Sequence, residues 1–217
     1  MHAVGIVAAA GSGLRLGADL PKALVPLAGR PLVRWAVQAL LDGGVDEVVV
    51  AVPAAEERQF EGALSGVRLV HGGASRTASV RAALATVGDA DAVLVHDAAR
   101  PLTPPDVVAR VLAALAAGAP AVVPVLPVVD TVVTVEGEQI TGAVPRAALR
   151  RVQTPQGFDR ATLVAAYAAL DADAELTDDA AVVRAAGHPV TTVEGDERAA
   201  KVTVPYDLAL AELQVRA

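Results

Sequence analysis

Over its first 130 residues the chain alternates short, wholly apolar runs with stretches whose apolar residues recur at helical spacing. Val4-Gly5-Ile6-Val7-Ala8-Ala9 has no polar position, which suits a strand buried on both faces. A glycine-rich loop follows. Pro31 to Leu41 then has helical periodicity, stopped by Gly43-Gly44. Glu47 to Val52 reads as a second strand ended by Pro53, and Ala54 to Leu64 as a helix leading to a short strand, Val67 to Val70. After Gly72-Gly73 come a helix over Ala78 to Val87 and a strand, Ala92 to His96, that carries Asp97 at its carboxyl end. A helix from Pro105 to Ala117 and a strand from Ala121 to Leu126 continue the series. This β-α alternation predicts an α/β, Rossmann-like fold: a mostly parallel twisted sheet, flanked by helices, with right-handed crossovers.

The rhythm then changes. Thr131 to Val135 alternates, turns at Glu136-Gly137-Glu138 and returns through Gln139-Ile140-Thr141, which predicts a β-hairpin. A lone two-stranded ribbon is marginal in water. The hairpin is therefore expected to pack on the body or reach a second subunit, as a protruding arm inserted at about residues 130–150. Helices over Ala161 to Leu170 and Asp178 to Ala186, a strand at Val190 to Val193 and a last helix from Pro205 complete the reading. With no linker or repeat in between, residues 1–217 are read as a single domain.

Composition narrows the chemistry. The chain is 53% hydrophobic but only 2% aromatic, so its core is built of Ala, Val and Leu. It has no cysteine, which removes disulfides and thiolate nucleophiles or metal ligands. A net charge of −7 argues against a nucleic-acid groove, and no apolar stretch is long enough to span a membrane, so a cytoplasmic protein is expected. Of the 18 basic residues only Lys22 and Lys201 are lysines. A chain that meets its surface needs with arginine, yet sets a lysine at the end of a glycine loop, points to a phosphate ligand at Lys22. Lys201, after the Gly195-Asp196 turn, is a second candidate.

In open α/β sheets ligands gather outside the carboxyl ends of the strands. Three predicted loops there carry chemistry. In the first, Gly11 and Gly13 let backbone N–H groups approach an anion, and Arg15 and Lys22 add charge. Its spacing fits neither a Walker loop nor the three-glycine dinucleotide fingerprint. In the second, His71 to Ser79, glycines permit close approach to a base edge; Ser75 is a candidate N-cap, and Ser79, one helical turn on, is placed to offer a hydroxyl to the same ligand. In the third, Asp97 is a carboxylate at a buried strand end, suited to a ribose hydroxyl, to Mg²⁺ or to a salt bridge with Arg100. Asp178-Asp179 reads as a pair of first-turn acids behind Thr177. The four histidines lack metal-ligand spacing and no serine lies in a nucleophile elbow. Cations without an evident nucleophile or base point to phosphoryl or nucleotidyl transfer, in which positioning and charge neutralisation carry the catalysis.

The segments Ala9-Ala10-Gly11-Ser12-Gly13-Leu14-Arg15, Pro21-Lys22, Gly72 to Val80, Val95-His96-Asp97-Ala98-Ala99-Arg100-Pro101, Asp130-Thr131, Pro145-Arg146, Gln153-Thr154-Pro155-Gln156, Thr177 to Ala180 and Lys201-Val202-Thr203 together resemble the 2-C-methyl-D-erythritol 4-phosphate cytidylyltransferases, in family order over nearly the whole chain. The resemblance implies transfer of a cytidylyl group from CTP to 2-C-methyl-D-erythritol 4-phosphate, with release of pyrophosphate and with Mg²⁺ as cofactor, in isoprenoid precursor synthesis. It implies that Arg15 and Lys22 stabilise charge in the transition state, that Lys201 joins them at the phosphates, and that Ala9, Ala10, Gly11 and Gly13 hold ribose and triphosphate. It assigns the cytosine to Gly73, Ala74 and Ser79, ribose or metal to Asp97 and Ala98, and the acceptor side to Arg100 and Thr131. The hairpin becomes a homodimer arm with Arg146 at its base, reaching the acceptor phosphate in the partner's site. Ala23 stands where the family often has Gln, and Ala199-Ala200 where it often has Asn-Ile, which leaves the bracing of the Lys201 loop open. Ribitol 5-phosphate or another sugar phosphate is the alternative acceptor.

Overall fold

The computed structural model describes residues 1–11, 20–171, 174 and 176–216. The chain begins with β1 (Ala3–Ala8), a two-residue ribbon of β2 (Pro26–Leu27) and β3 (Arg30–Pro31), α1 (Leu32–Asp42), β4 (Glu47–Val52), α2 (Glu57–Ala63), β5 (Arg68–His71), α3 (Arg76–Leu84), β6 (Ala92–Asp97), α4 (Pro105–Ala116) and β7 (Ala121–Pro127). The hairpin of β8 (Val132–Glu136) and β9 (Gln139–Val144) follows, then β10 (Arg150–Val152), β11 (Gln156–Asp159), α5 (Arg160–Ala169), α6 (Asp179–Ala185), β12 (Thr191–Glu194) and α7 (Pro205–Arg216).

β1 is the centre of the sheet, parallel to β4 on one side and to β6 on the other, with β5 continuing the parallel set beyond β4. Beyond β6 the pairing reverses. β11 lies antiparallel between β6 and β7, β10 extends the same line along β7, and β12 runs parallel to the far side of β7. The sheet is mostly parallel, as expected, and is mixed because two short strands that the apolar pattern does not reveal enter it antiparallel: β11 between β6 and β7, and β10 along β7. Their sequences explain this. Arg150-Arg151-Val152 carries two charges, and Gln156-Gly157-Phe158-Asp159 has no β-branched residue. Gly157 is required there because α4 crosses it: an added Cβ would stand 2.3 Å from Val111 Cγ1.

Successive strand residues face opposite sides, and each side has its own helices. Val7, Val50 and Leu94 join Val33, Leu40, Phe60, Val108 and Val111 under α1, α2 and α4. Ile6, Val49 and Val93 join Val80, Leu84, Phe158, Leu163, Tyr167 and Val183 under α3, α5 and α6. With both faces covered, ligand access is left to the strand ends. The predicted helix over Ala78 to Val87 starts earlier, at Arg76, because the Ser75 hydroxyl caps it by accepting from Ala78 N–H at 3.1 Å. The hairpin forms as expected and pairs only with itself, leaving Val135 and Ile140 exposed.

Candidate active site

The carboxyl ends of β1 and β6 and the loop after β5 enclose a cleft of about 620 Å³. Ala9, Ala10 and Gly11 line it from β1, Gly73, Ala74 and Ser79 from the β5–α3 turn, and Asp97 and Ala98 from β6, while Lys22 and Lys201 enter from opposite ends of the sequence. The two lysines thus share one cleft. Gly13 and Arg15 lie outside the described residues.

Asp97 is the organising group. Its carboxylate takes Lys201 Nζ at 2.8 Å on one oxygen and Arg76 Nε at 3.2 Å on the other, and Arg100 Nε stands 3.9 Å away. The expected alternative, a salt bridge with Arg100, is thus the weakest of three cationic contacts. Burial by itself would raise the Asp97 pKa, but Arg76, Lys201 and Arg100 outweigh burial and hold the carboxyl well below the usual carboxylate range. Arg76 is held in turn from behind. Its second nitrogen lies 2.7 Å from fully buried Asp179, which also accepts from Tyr167 O–H at 2.6 Å. Asp178-Asp179 do stand at the start of α6: Asp178 caps it, accepting from Ala181 N–H at 2.8 Å, and Asp179 lies in its first turn. Beyond that reading, Asp179 points inward as the counter-ion of Arg76. Nothing in the residue pattern signals this second role, because a helix N-terminus explains both acids equally well.

The backbone of Asp97 is fixed by a relay. Its N–H donates to Thr154 Oγ1 at 3.1 Å, Thr154 Oγ1 lies 2.9 Å from His96 Nδ1, and His96 Nε2 lies 3.3 Å from the Arg100 carbonyl. A carbonyl can only accept, so Nε2 carries the proton and Nδ1 accepts from the Thr154 hydroxyl. This direction holds for the neutral ring, which burial favours. Burial, only partly opposed by the Asp97 charge, pushes His96 down to about 4.

Ser79 departs from expectation. Its hydroxyl donates to the Ser75 carbonyl at 2.8 Å and accepts from Gly73 N–H at 3.1 Å. It therefore shapes the Gly73 turn, and what remains free on its oxygen is acceptor capacity. The glycines there are close-packed: a Cβ on Gly72 would stand 2.8 Å from Ala10 Cβ, and one on Gly73 would stand 2.5 Å from Ala78 Cβ. Three expected site residues lie outside the cleft lining. Arg100 donates to the Ala199 carbonyl at 2.7 Å and the Val152 carbonyl at 3.3 Å, Arg146 donates to the Val129 carbonyl at 2.6 Å, and Thr131 is exposed ahead of β8. Residues missed from sequence are Arg76, Tyr167 and Asp179, and also Thr154 and Gln153, which were seen only as motif letters.

A doubly covered α/β sheet that gathers Lys22, Arg76 and Lys201 around one carboxylate at its carboxyl edge, beside glycine turns, has the architecture of a nucleotide-phosphate-handling protein. Comparison with known proteins makes this specific. The profile of the family IspD, 2-C-methyl-D-erythritol 4-phosphate cytidylyltransferase, matches residues 3–217. The enzyme of that name from Nocardia farcinica is 54% identical over 214 residues, covering 96% of this chain and 92% of the relative. The one from Saccharopolyspora erythraea is 52% identical, covering 98% of both. The crystal structure of the Thermus thermophilus 2-C-methyl-D-erythritol 4-phosphate cytidylyltransferase superposes with a TM-score of 0.83 at 43% identity, covering 100% of each chain. The chain belongs to the 2-C-methyl-D-erythritol 4-phosphate cytidylyltransferase family.

Proposed function

We propose that the protein transfers the cytidylyl group of CTP to 2-C-methyl-D-erythritol 4-phosphate, forming 4-diphosphocytidyl-2-C-methyl-D-erythritol and pyrophosphate in isoprenoid precursor synthesis. Family membership supports the reaction, and the observation that carries its assignment to this cleft is the convergence of Lys22, Arg76 and Lys201 on the edge where Asp97 emerges. The acceptor phosphate attacks the α-phosphorus and pyrophosphate departs. A phosphate monoester is already ionised near neutral pH, so no base is needed. What opposes the reaction is repulsion between two anions, about 4 kcal/mol for two unit charges ~4 Å apart at an effective dielectric near 20. Lys22 and Lys201 lower that barrier and neutralise charge that builds on the phosphates in the transition state.

The cleft also constrains the cofactor. Asp97 is the only carboxylate among the described lining residues, and no group of three His, Cys, Asp or Glu side chains is placed to hold a metal among the described residues. This fits Mg²⁺, which binds through one or two carboxylates, substrate phosphates and water. Asp97 would hold it, exchanging Lys201 toward the phosphates, and the ion would supply charge neutralisation at the triphosphate. The exposed Val135 and Ile140 of the hairpin support its role as the arm of a homodimer, with Arg146 directed to the acceptor phosphate of the second site. Among the described residues no helix is long and apolar enough to cross a membrane, which with the absence of cysteine supports a cytoplasmic enzyme.

The test is pyrophosphate release with CTP, 2-C-methyl-D-erythritol 4-phosphate and Mg²⁺, omitting each in turn and replacing the acceptor with ribitol 5-phosphate. Release that needs all three and fails with ribitol 5-phosphate is expected. Equal release with ribitol 5-phosphate, or none with the erythritol acceptor, would refute the assignment.

A further inference from the structure

Lys201 sits on an irregular segment that leaves β12 at Glu194 and enters α7 at Pro205, so its position depends on what holds that loop. The backbone partners can be followed residue by residue. Gly195 N–H donates to the Val125 carbonyl at 2.9 Å, and Val202 N–H donates to the Ala99 carbonyl at 2.8 Å. Between them, Arg100 donates to the Ala199 carbonyl at 2.7 Å. At the surface Arg110 donates to the Gly195 carbonyl at 3.5 Å and Arg151 pairs with Glu197; a buried side-chain amide supplies a further hold. Gln153, 4% exposed, accepts from Asp196 N–H at 3.0 Å through Oε1 and donates to the Asp196 carbonyl at 2.8 Å through Nε2. The carboxamide thereby engages both backbone groups of one residue, as a neighbouring strand would. Its seat is specified from the other side as well: a Cβ on Gly195 would stand 2.2 Å from Gln153 Oε1.

Gln153 itself is fixed by its own backbone, whose N–H donates to the Pro124 carbonyl at 2.9 Å, and by its neighbour Thr154, which holds the Asp97 N–H. The segment between β10 and β11 therefore holds both members of the Asp97–Lys201 pair, one through the Thr154 hydroxyl and the other through the Gln153 amide.

We propose that Gln153, seated on Gly195, is a positioning residue for Lys201: it sets the loop that brings the ammonium to Asp97 and to the phosphates. This answers how the loop is braced with Ala199-Ala200 ahead of the lysine. The kinetic part of the proposal rests on the cytidylyl-transfer reading; the spectroscopic part does not. Two substitutions attack the clamp from opposite sides. Gln153→Ala removes the amide, and Gly195→Ala displaces it while leaving Gln153 in place.

Because the chain has only two lysines, reductive ¹³C-methylation gives two lysine methyl signals, one of which disappears in Lys201→Arg. In both clamp variants the Lys201 signal is expected to move to its position in Asp97→Asn, where the partner is gone, while the Lys22 signal stays. In steady-state assays each clamp variant is expected to lower kcat by roughly tenfold or more, as ångström-scale misplacement of a charge does, with a smaller change in KM for CTP. In a Lys201→Ala background the same substitutions are expected to cost less than about twofold, because a residue acting through another has nothing left to act on. An unmoved Lys201 signal in a folded clamp variant, or equal kinetic penalties with and without Lys201, would overturn the proposal. If Gln153→Ala does not fold, Gly195→Ala carries both readouts. A wild-type protein with no cytidylyl transfer would defeat the functional reading, and the methyl spectrum would still decide the clamp.

Discussion

The most quantitative consequence of the structure concerns acid. His96 is fully buried, and its ring links Thr154 to the Arg100 carbonyl. Its pKa falls from 6.5 to about 4 on folding, chiefly through burial. The unfolded chain therefore takes up this proton first. Stability owed to the neutral ring is fully present above about pH 6.5 and drains as pH falls toward 4. A shift of this size corresponds to about 3 kcal/mol over the whole window and to roughly 2 kcal/mol between pH 7 and pH 5. Asp97 acts in a lower window. Its folded pKa is depressed, so its contribution is present above the ordinary carboxylate value of 3.8 and is lost only as pH falls further.

The perturbation is His96→Gln, which keeps an acceptor and a donor at the end of the side chain but cannot be protonated. Urea unfolding at pH 7 and pH 5 gives the free energy of each protein at each pH. The variant is expected to start less stable at pH 7, because an amide cannot reproduce the ring's geometry, yet to lose about 2 kcal/mol less than wild type on going to pH 5. Taking the difference between the two proteins cancels every other titrating group. Equal losses in both would mean that the ring is not held neutral by folding, and the relay drawn from Asp97 to Arg100 would be wrong.

Other substitutions follow from the same geometry. Lys22→Ala is expected to lower turnover by about 10² to 10³, the usual effect of losing one preorganised charge donor, checked by pyrophosphate release; a loss of less than a few-fold would exclude the assigned role. Tyr167→Phe leaves buried Asp179 without its hydroxyl donor and should cost about 1–3 kcal/mol in urea unfolding. Gly43→Ala places a Cβ 2.3 Å from Val108 Cβ, where the α1–β4 turn meets α4, so an overpacking cost of about 1–3 kcal/mol with unchanged substrate KM is expected.

How far these features were legible in the sequence depended on the signal each left. β1, β4 and β6 are covered on both faces, so their apolar runs betray them. The Ser75 cap and the hairpin were legible because local turn chemistry specifies them. β10 and β11 were not. β11 is held by neighbours on either side and β10 by β7, and the residues of β11 serve other duties: Gly157 allows the passage of α4, and Gln156 donates to Asp178 at 2.9 Å and accepts from Ala180 N–H at 2.9 Å. Lys22, Lys201 and Asp97 were legible through their rarity or their place at a strand end. Arg76 and Asp179 were hidden, because a buried ion pair between residues so far apart in sequence leaves no periodicity. Only the fold reveals that the motif arginine and the motif aspartate answer each other.

That hidden pair changes how the cleft should be understood. Lys201 pairs with one oxygen of Asp97 and Arg76 with the other, and the cost of burying the Arg76 guanidinium is offset by Asp179 behind it rather than by Asp97 alone. The described lining of the cleft carries three cations, Lys22, Arg76 and Lys201, beside the one carboxylate Asp97, with Asp179 buried behind Arg76. The lining is thus rich in cations on a chain whose net charge is −7. Such local focusing attracts a compact polyanion such as a triphosphate while the acidic remainder of the surface repels extended nucleic acid. Asp179→Asn removes the buried counter-ion of Arg76, so it should cost about 3 kcal/mol in urea unfolding, while the loss of a negative charge behind the cleft leaves CTP affinity unchanged or raises it. Calorimetric titration with CTP, set beside the unfolding free energy, separates the two, and a marked loss of CTP affinity in a folded variant would refute this account of the buried acid.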